Sequence, residues 1–70
     1  MQKVNDVIDE MIAELNTAMK KILDEIDRIR LSDYFSYVDA QAISELVPRY
    51  QRLLNSETKL FELKGRLKGL

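Results

Sequence analysis

The chain has 70 residues, a formal net charge of -1 from 11 basic and 12 acidic residues, and neither cysteine nor histidine. The missing residue types exclude disulfides, thiolate zinc sites and the usual histidine-based acid–base or phosphorelay chemistry. Both signs of charge are interspersed, which is typical of an ordinary solvent-facing surface rather than of a polyanion-binding one.

The small size of the chain limits its stability. A single apolar core in one domain over residues 1–70 rarely contributes more than about 3–5 kcal/mol, so a further source of stability is expected. Without disulfides or metal, oligomerisation or very good helix packing remains. No stretch approaches the roughly 20 apolar residues of a membrane span, and the first nine residues lack a secretory pattern. We therefore expect a cytoplasmic protein with no cofactor, no metal and no membrane contact.

The first predicted element is a long amphipathic helix over about residues 3–31. Apolar residues recur there at three- and four-residue spacing, uninterrupted by Pro or Gly, and charges occupy the opposite side. At about 100° per residue, the apolar arc is about 160° wide, wider than the narrow seam of a two-stranded coiled coil. One neighbouring helix would leave part of the arc in water, so its width predicts a bundle. The predicted core residues are Ile8, Ile12, Leu15, Met19, Ile22, Ile26 and Ile29.

A connection is predicted over residues 32–39, where the helical period is lost. Asp39 is expected to cap the next helix, because its carboxylate can accept free backbone N–H groups of the first turn. The aromatic residues Tyr34, Phe35 and Tyr37 have two interpretations. They either cover the tip of the core or form an exposed patch for a protein partner, since Tyr and Phe are frequent interface anchors.

The second predicted helix extends over about residues 40–68. Pro48 lacks an N–H donor and clashes with the carbonyl of Ser44, so it should kink or break the helix. The apolar stripe also shifts after Asn55, a second weak point. The pattern favours one kinked helix, with two separate pieces as the alternative. The predicted core residues are Leu46, Tyr50, Leu53, Leu54, Leu60 and Leu67.

The two predicted helices match in length, at roughly 43 Å each, and are joined by a short link. This organisation predicts an all-α antiparallel hairpin. The acidic start of the first helix would then lie beside the basic end of the second. Two copies are expected to form a four-helix bundle, with a homodimer favoured. In such a core, Ile22→Asp should abolish the folded assembly.

These patterns predict a non-enzymatic oligomerisation or protein-interaction module. The sequence shows no combination of nucleophile, base and metal ligands. The acidic cluster around Glu25 is interpreted as a solvent-facing, ion-paired helix surface. The alternative is a small nucleic-acid-associated regulator of plasmid or phage type that contacts phosphates through its basic C-terminal end. The residues that would make these contacts are Lys59, Lys64, Arg66 and Lys68.

Overall fold

The fold is an antiparallel hairpin of two α-helices, seen in a computed structural model that describes residues 3–68. Helix α1 comprises Val4–Arg30 and helix α2 comprises Tyr37–Lys68. They pack along their lengths into a slab of 53 × 18 × 14 Å. The predicted all-α helical hairpin is therefore confirmed.

Helix α1 supplies all of the buried side chains among the described residues. These are Ile8, Ile12, Met19 and Ile22, which lie at the centre of the apolar arc. The helix ends where Leu31 N–H donates to the Asp27 carbonyl (2.9 Å) and the Ser32 hydroxyl donates to the Ile29 carbonyl (2.9 Å). These bonds satisfy carbonyls that have no partner within the helix.

Helix α2 begins at Tyr37, three residues earlier than the predicted start at residue 40. Ser36 precedes the helix: its N–H donates to Asp39 Oδ2 (2.9 Å), while Asp39 N–H donates to Ser36 Oγ (3.3 Å). This reciprocal arrangement is a capping box. The prediction that Asp39 is the N-cap is therefore wrong, because Asp39 is the third helical residue and Ser36 holds the cap position. The connection is residues 31–36 rather than 32–39.

Helix α2 continues without a break through Pro48 and Asn55. Two separate helices are therefore not observed, and a kink at Pro48 stays a prediction. The polar residues that interrupt the apolar stripe, Glu57 and Lys64, are half-buried within the continuous helix. The stripe is thus interrupted by charged side chains, while the backbone stays helical.

Replacing Pro48 by alanine should stabilise the hairpin, because Pro48 is exposed and its substitution restores a donor for the Ser44 carbonyl. The helix-interior penalty of about 3 kcal/mol is removed, while the unfolded chain regains freedom worth about 1 kcal/mol. We expect Pro48→Ala to raise the free energy of unfolding by about 2 kcal/mol in urea denaturation at fixed protein concentration. The exposed Glu62→Ala is the control, with a change within about 0.5 kcal/mol. A less stable Pro48→Ala chain would show that packing depends on the proline.

The core of the hairpin is one-sided. No residue of α2 among those described is buried, although most of its apolar side chains are half-buried. Helix α2 therefore covers the centre of the α1 arc but leaves the edges of that arc open. The half-buried apolar residues of α2 include Leu46, Tyr50, Leu53, Leu54, Leu60 and Leu67.

Candidate functional site

An open apolar groove of about 550 Å³ lies between α1 and α2 on one side of the hairpin. Its floor and walls are mostly aliphatic, and one acidic and one basic residue stand on opposite walls. We call this feature the apolar groove. Its lining residues are Met11, Glu14, Leu15, Ala18, Ser56, Lys59, Leu60 and Leu63.

A second depression, of about 340 Å³, continues the apolar groove along the same side and shares Ala18 with it. Three of its six lining residues are basic, namely Lys21, Arg49 and Arg52. We call this feature the basic depression, and the side that carries both features the groove face. The groove face is apolar towards the hairpin's open end and basic near the middle of both helices.

The groove exists because the apolar arc of α1 is wider than one helix can cover. Met11 and Ala18 lie at one edge of the arc, about 60–100° from its buried centre at the Ile8 and Met19 positions. Helix α2 packs on that centre, and the small side chain of Ala18 leaves a hollow at the edge. The sequence-predicted seam omits Met11, Ala18 and Leu63. The arc width is the signal that could have placed the first two at an interface.

The thirteen residues predicted to form the core are all buried or half-buried. Ile8, Ile12, Met19 and Ile22 are buried in the single hairpin. The others keep part of their surface accessible, which leaves them available to a second molecule. These half-buried residues are Leu15, Ile26, Ile29, Leu46, Tyr50, Leu53, Leu54, Leu60 and Leu67.

An ion pair marks the level of one helix against the other. Lys64 Nζ lies 2.6 Å from Asp9 Oδ1, so the basic end of α2 meets the acidic start of α1. Within α1, Glu25 pairs with Arg28 at 2.5 Å on the exposed surface. Among residues 3–68, no three side chains of metal-ligating type converge.

The four basic residues considered for phosphate contact do not share one surface. Lys59 lines the apolar groove, and Arg66, seven residues later, lies on the same side of the helix. Lys64 faces α1 and pairs with Asp9. Lys68 falls on the opposite flank of α2 by the helical period. The structure thus brings together only two of them.

The aromatic connection is exposed. Tyr34 and Tyr37 keep 79% and 78% of their surface accessible, so these two rings do not cover the tip of the core. Phe35 is exposed as well, and so are its apolar neighbours Leu31 and Val38. The patch lies at the closed end of the hairpin, opposite the end that carries the apolar groove.

No protein-family model matches the chain, and comparisons with curated proteins and with solved structures also find no match. Within residues 3–68, neither helix contains a segment long and apolar enough to cross a membrane.

Proposed function

We propose that the chain is a non-enzymatic self-association module, in which two hairpins pack groove face on groove face as a four-helix bundle. The observation that carries this proposal is the apolar groove, which the two helices of one chain leave open. A dimer would complete the core and hold whatever is attached to each copy at a fixed distance. The exposed aromatic connection would remain available for a protein partner.

The energetics favour a second copy. Only four side chains are buried among the described residues, each contributing up to about 1.5–3 kcal/mol. In a symmetric dimer every residue that the interface covers is buried in both copies, so Met11 and Leu63 would each contribute twice.

Nucleic-acid binding is the competing function, and the placement of the basic residues supports it less well. One of the four pairs with Asp9, and the others are divided between two flanks of α2. Phosphate contacts weaken steeply with salt. In a filter-binding assay at low and moderate salt, we expect no salt-dependent retention of DNA or RNA. Strong retention at low salt that disappears at moderate salt would favour the regulator instead.

Sedimentation equilibrium from micromolar to millimolar concentration, with helicity followed by circular dichroism, tests self-association directly. We expect a monomer–dimer equilibrium in which helicity falls as the dimer dissociates, because a shared core couples folding to assembly. A fully helical monomer at every concentration would overturn the proposal. It would show that the hairpin is stable with its groove open to water.

A further inference from the structure

We infer that the second copy docks with its α2 over α1 of the first, related by a two-fold axis parallel to the helices. This inference rests on the proposed self-association and adds its orientation and the charged residues that determine it.

Each rim carries charged residues at seven-residue spacing. On α1 the rim consists of Glu14, Lys21 and Arg28, and on α2 it consists of Glu45, Arg52 and Lys59. Glu14 and Lys59 line the apolar groove, and Lys21 and Arg52 line the basic depression. Arg28 and Glu45 extend the same stripes by one heptad, which returns to nearly the same side of a helix. All six are exposed.

The ion pair between Asp9 and Lys64 sets the levels of these residues. Because both helices rise by about 1.5 Å per residue, equal steps from this pair reach opposite positions. Glu14 lies five residues after Asp9 and Lys59 lies five residues before Lys64, so Glu14 and Lys59 are level. Further steps place Lys21 level with Arg52, and Arg28 level with Glu45.

Rotation about a two-fold axis parallel to the helices leaves the position of every residue along the helix direction unchanged. It places the partner's α2 over α1 and the partner's α1 over α2. Glu14 then faces the partner's Lys59, and Arg28 faces the partner's Glu45, each contact occurring twice. One level brings like charges together, where Lys21 faces the partner's Arg52, and this contact also occurs twice. The two apolar grooves remain in register, so apolar surface meets apolar surface.

The other face-to-face arrangement has its axis perpendicular to the helices and stacks α1 on α1. To keep groove on groove, that axis must cross the hairpin near Leu15 and Leu60, which line the groove. Glu14 would then face the partner's Glu14, and Lys59 the partner's Lys59. Like charges at both rims disfavour this arrangement. The parallel axis also brings both aromatic connections to one end of the bundle.

Two single charge reversals test the orientation. We expect Glu14→Lys and Lys59→Glu each to raise the dimer dissociation constant about tenfold, because two attractive contacts become repulsive. An equimolar mixture should regain the unmodified affinity, since each chain then meets its opposite charge on the other. Sedimentation equilibrium gives the constants, and native mass spectrometry with one chain labelled with ¹⁵N gives the proportion of mixed dimer. The effect should shrink in high salt.

Lys20→Glu is the matched control, because Lys20 is exposed on the far side of α1 from the groove. Its dissociation constant should stay within about twofold of the unmodified value. A chain carrying both Glu14→Lys and Lys59→Glu should dimerise like the unmodified chain. That result would show that neither substitution prevents folding, so the weaker dimers of the single variants come from charge repulsion.

Three outcomes would overturn the orientation. Single variants that dimerise normally and mix statistically would show that these rims do not meet. Single variants that dimerise normally but bind each other more tightly would indicate the perpendicular axis. Both results leave the proposed self-association standing. A monomeric unmodified chain would overturn the proposed function and this inference together.

Discussion

The Met19→Asp variant is expected to be unfolded at concentrations where the unmodified chain is helical. Met19 is buried on α1, and it lines neither the apolar groove nor the basic depression. Removing a buried side chain of this size costs about 2–5 kcal/mol. Burying a carboxylate in its place costs several kcal/mol more unless the carboxylate is neutralised or paired. The sum exceeds the roughly 3–5 kcal/mol available to a domain of this size.

Met19 tests the core more sharply than Ile22, for which the sequence predicts the same result. Ile22 borders the basic depression, where Arg49 and Arg52 could pair with an introduced carboxylate. The control is Asn16→Asp, which places the same side chain at an exposed position on α1. Its stability should change by no more than about 0.5 kcal/mol. Circular dichroism and urea denaturation measure both variants, and a Met19→Asp chain with unchanged stability would show that the core is assigned wrongly.

The hairpin was predictable because α1 carries an uninterrupted pattern. Its observed bounds, Val4–Arg30, differ by one residue at each end from the predicted 3–31. The start of α2 was harder to place, because the capping box uses Ser36 and Asp39 across the aromatic residue Tyr37 and the β-branched Val38. Those two residues do not suggest a helix, and the capping hydrogen bonds decide its start.

The continuity of α2 and the position of the groove depend on tertiary packing. Local propensity predicts a disruption at Pro48, but contacts with α1 along the whole helix can offset a penalty of about 3 kcal/mol. The width of the α1 arc indicates that some apolar surface stays open. Which edge stays open depends on the rotation and register of α2, and the pair between Lys64 and Asp9 marks that register. Neither the rotation nor the register of α2 can be read from the sequence pattern of a single helix.

Met11 and Leu23 provide a matched pair for deciding which edge of α1 meets the second copy. They keep 46% and 44% of their surface exposed, so substitution of either should disturb the single hairpin to a similar extent. Met11 lines the apolar groove, whereas Leu23 lies on the opposite edge of the arc, about 120° away. An effect on dimerisation that differs between them therefore reports the interface and not the hairpin.

We expect Met11→Lys to raise the dimer dissociation constant at least about a hundredfold, equivalent to about 2.8 kcal/mol. A symmetric dimer loses two thioether side chains from its interface, each worth about 1.5 kcal/mol or more, and gains two ammonium groups that must stay hydrated. Leu23→Lys should leave the constant within a few-fold of the unmodified value in sedimentation equilibrium. The reverse result would place the interface on the opposite face, where Val47 and Phe61 are also exposed. Equal effects would mean that lysine acts through the hairpin, because an interface on either face would affect one of these equally exposed residues more than the other.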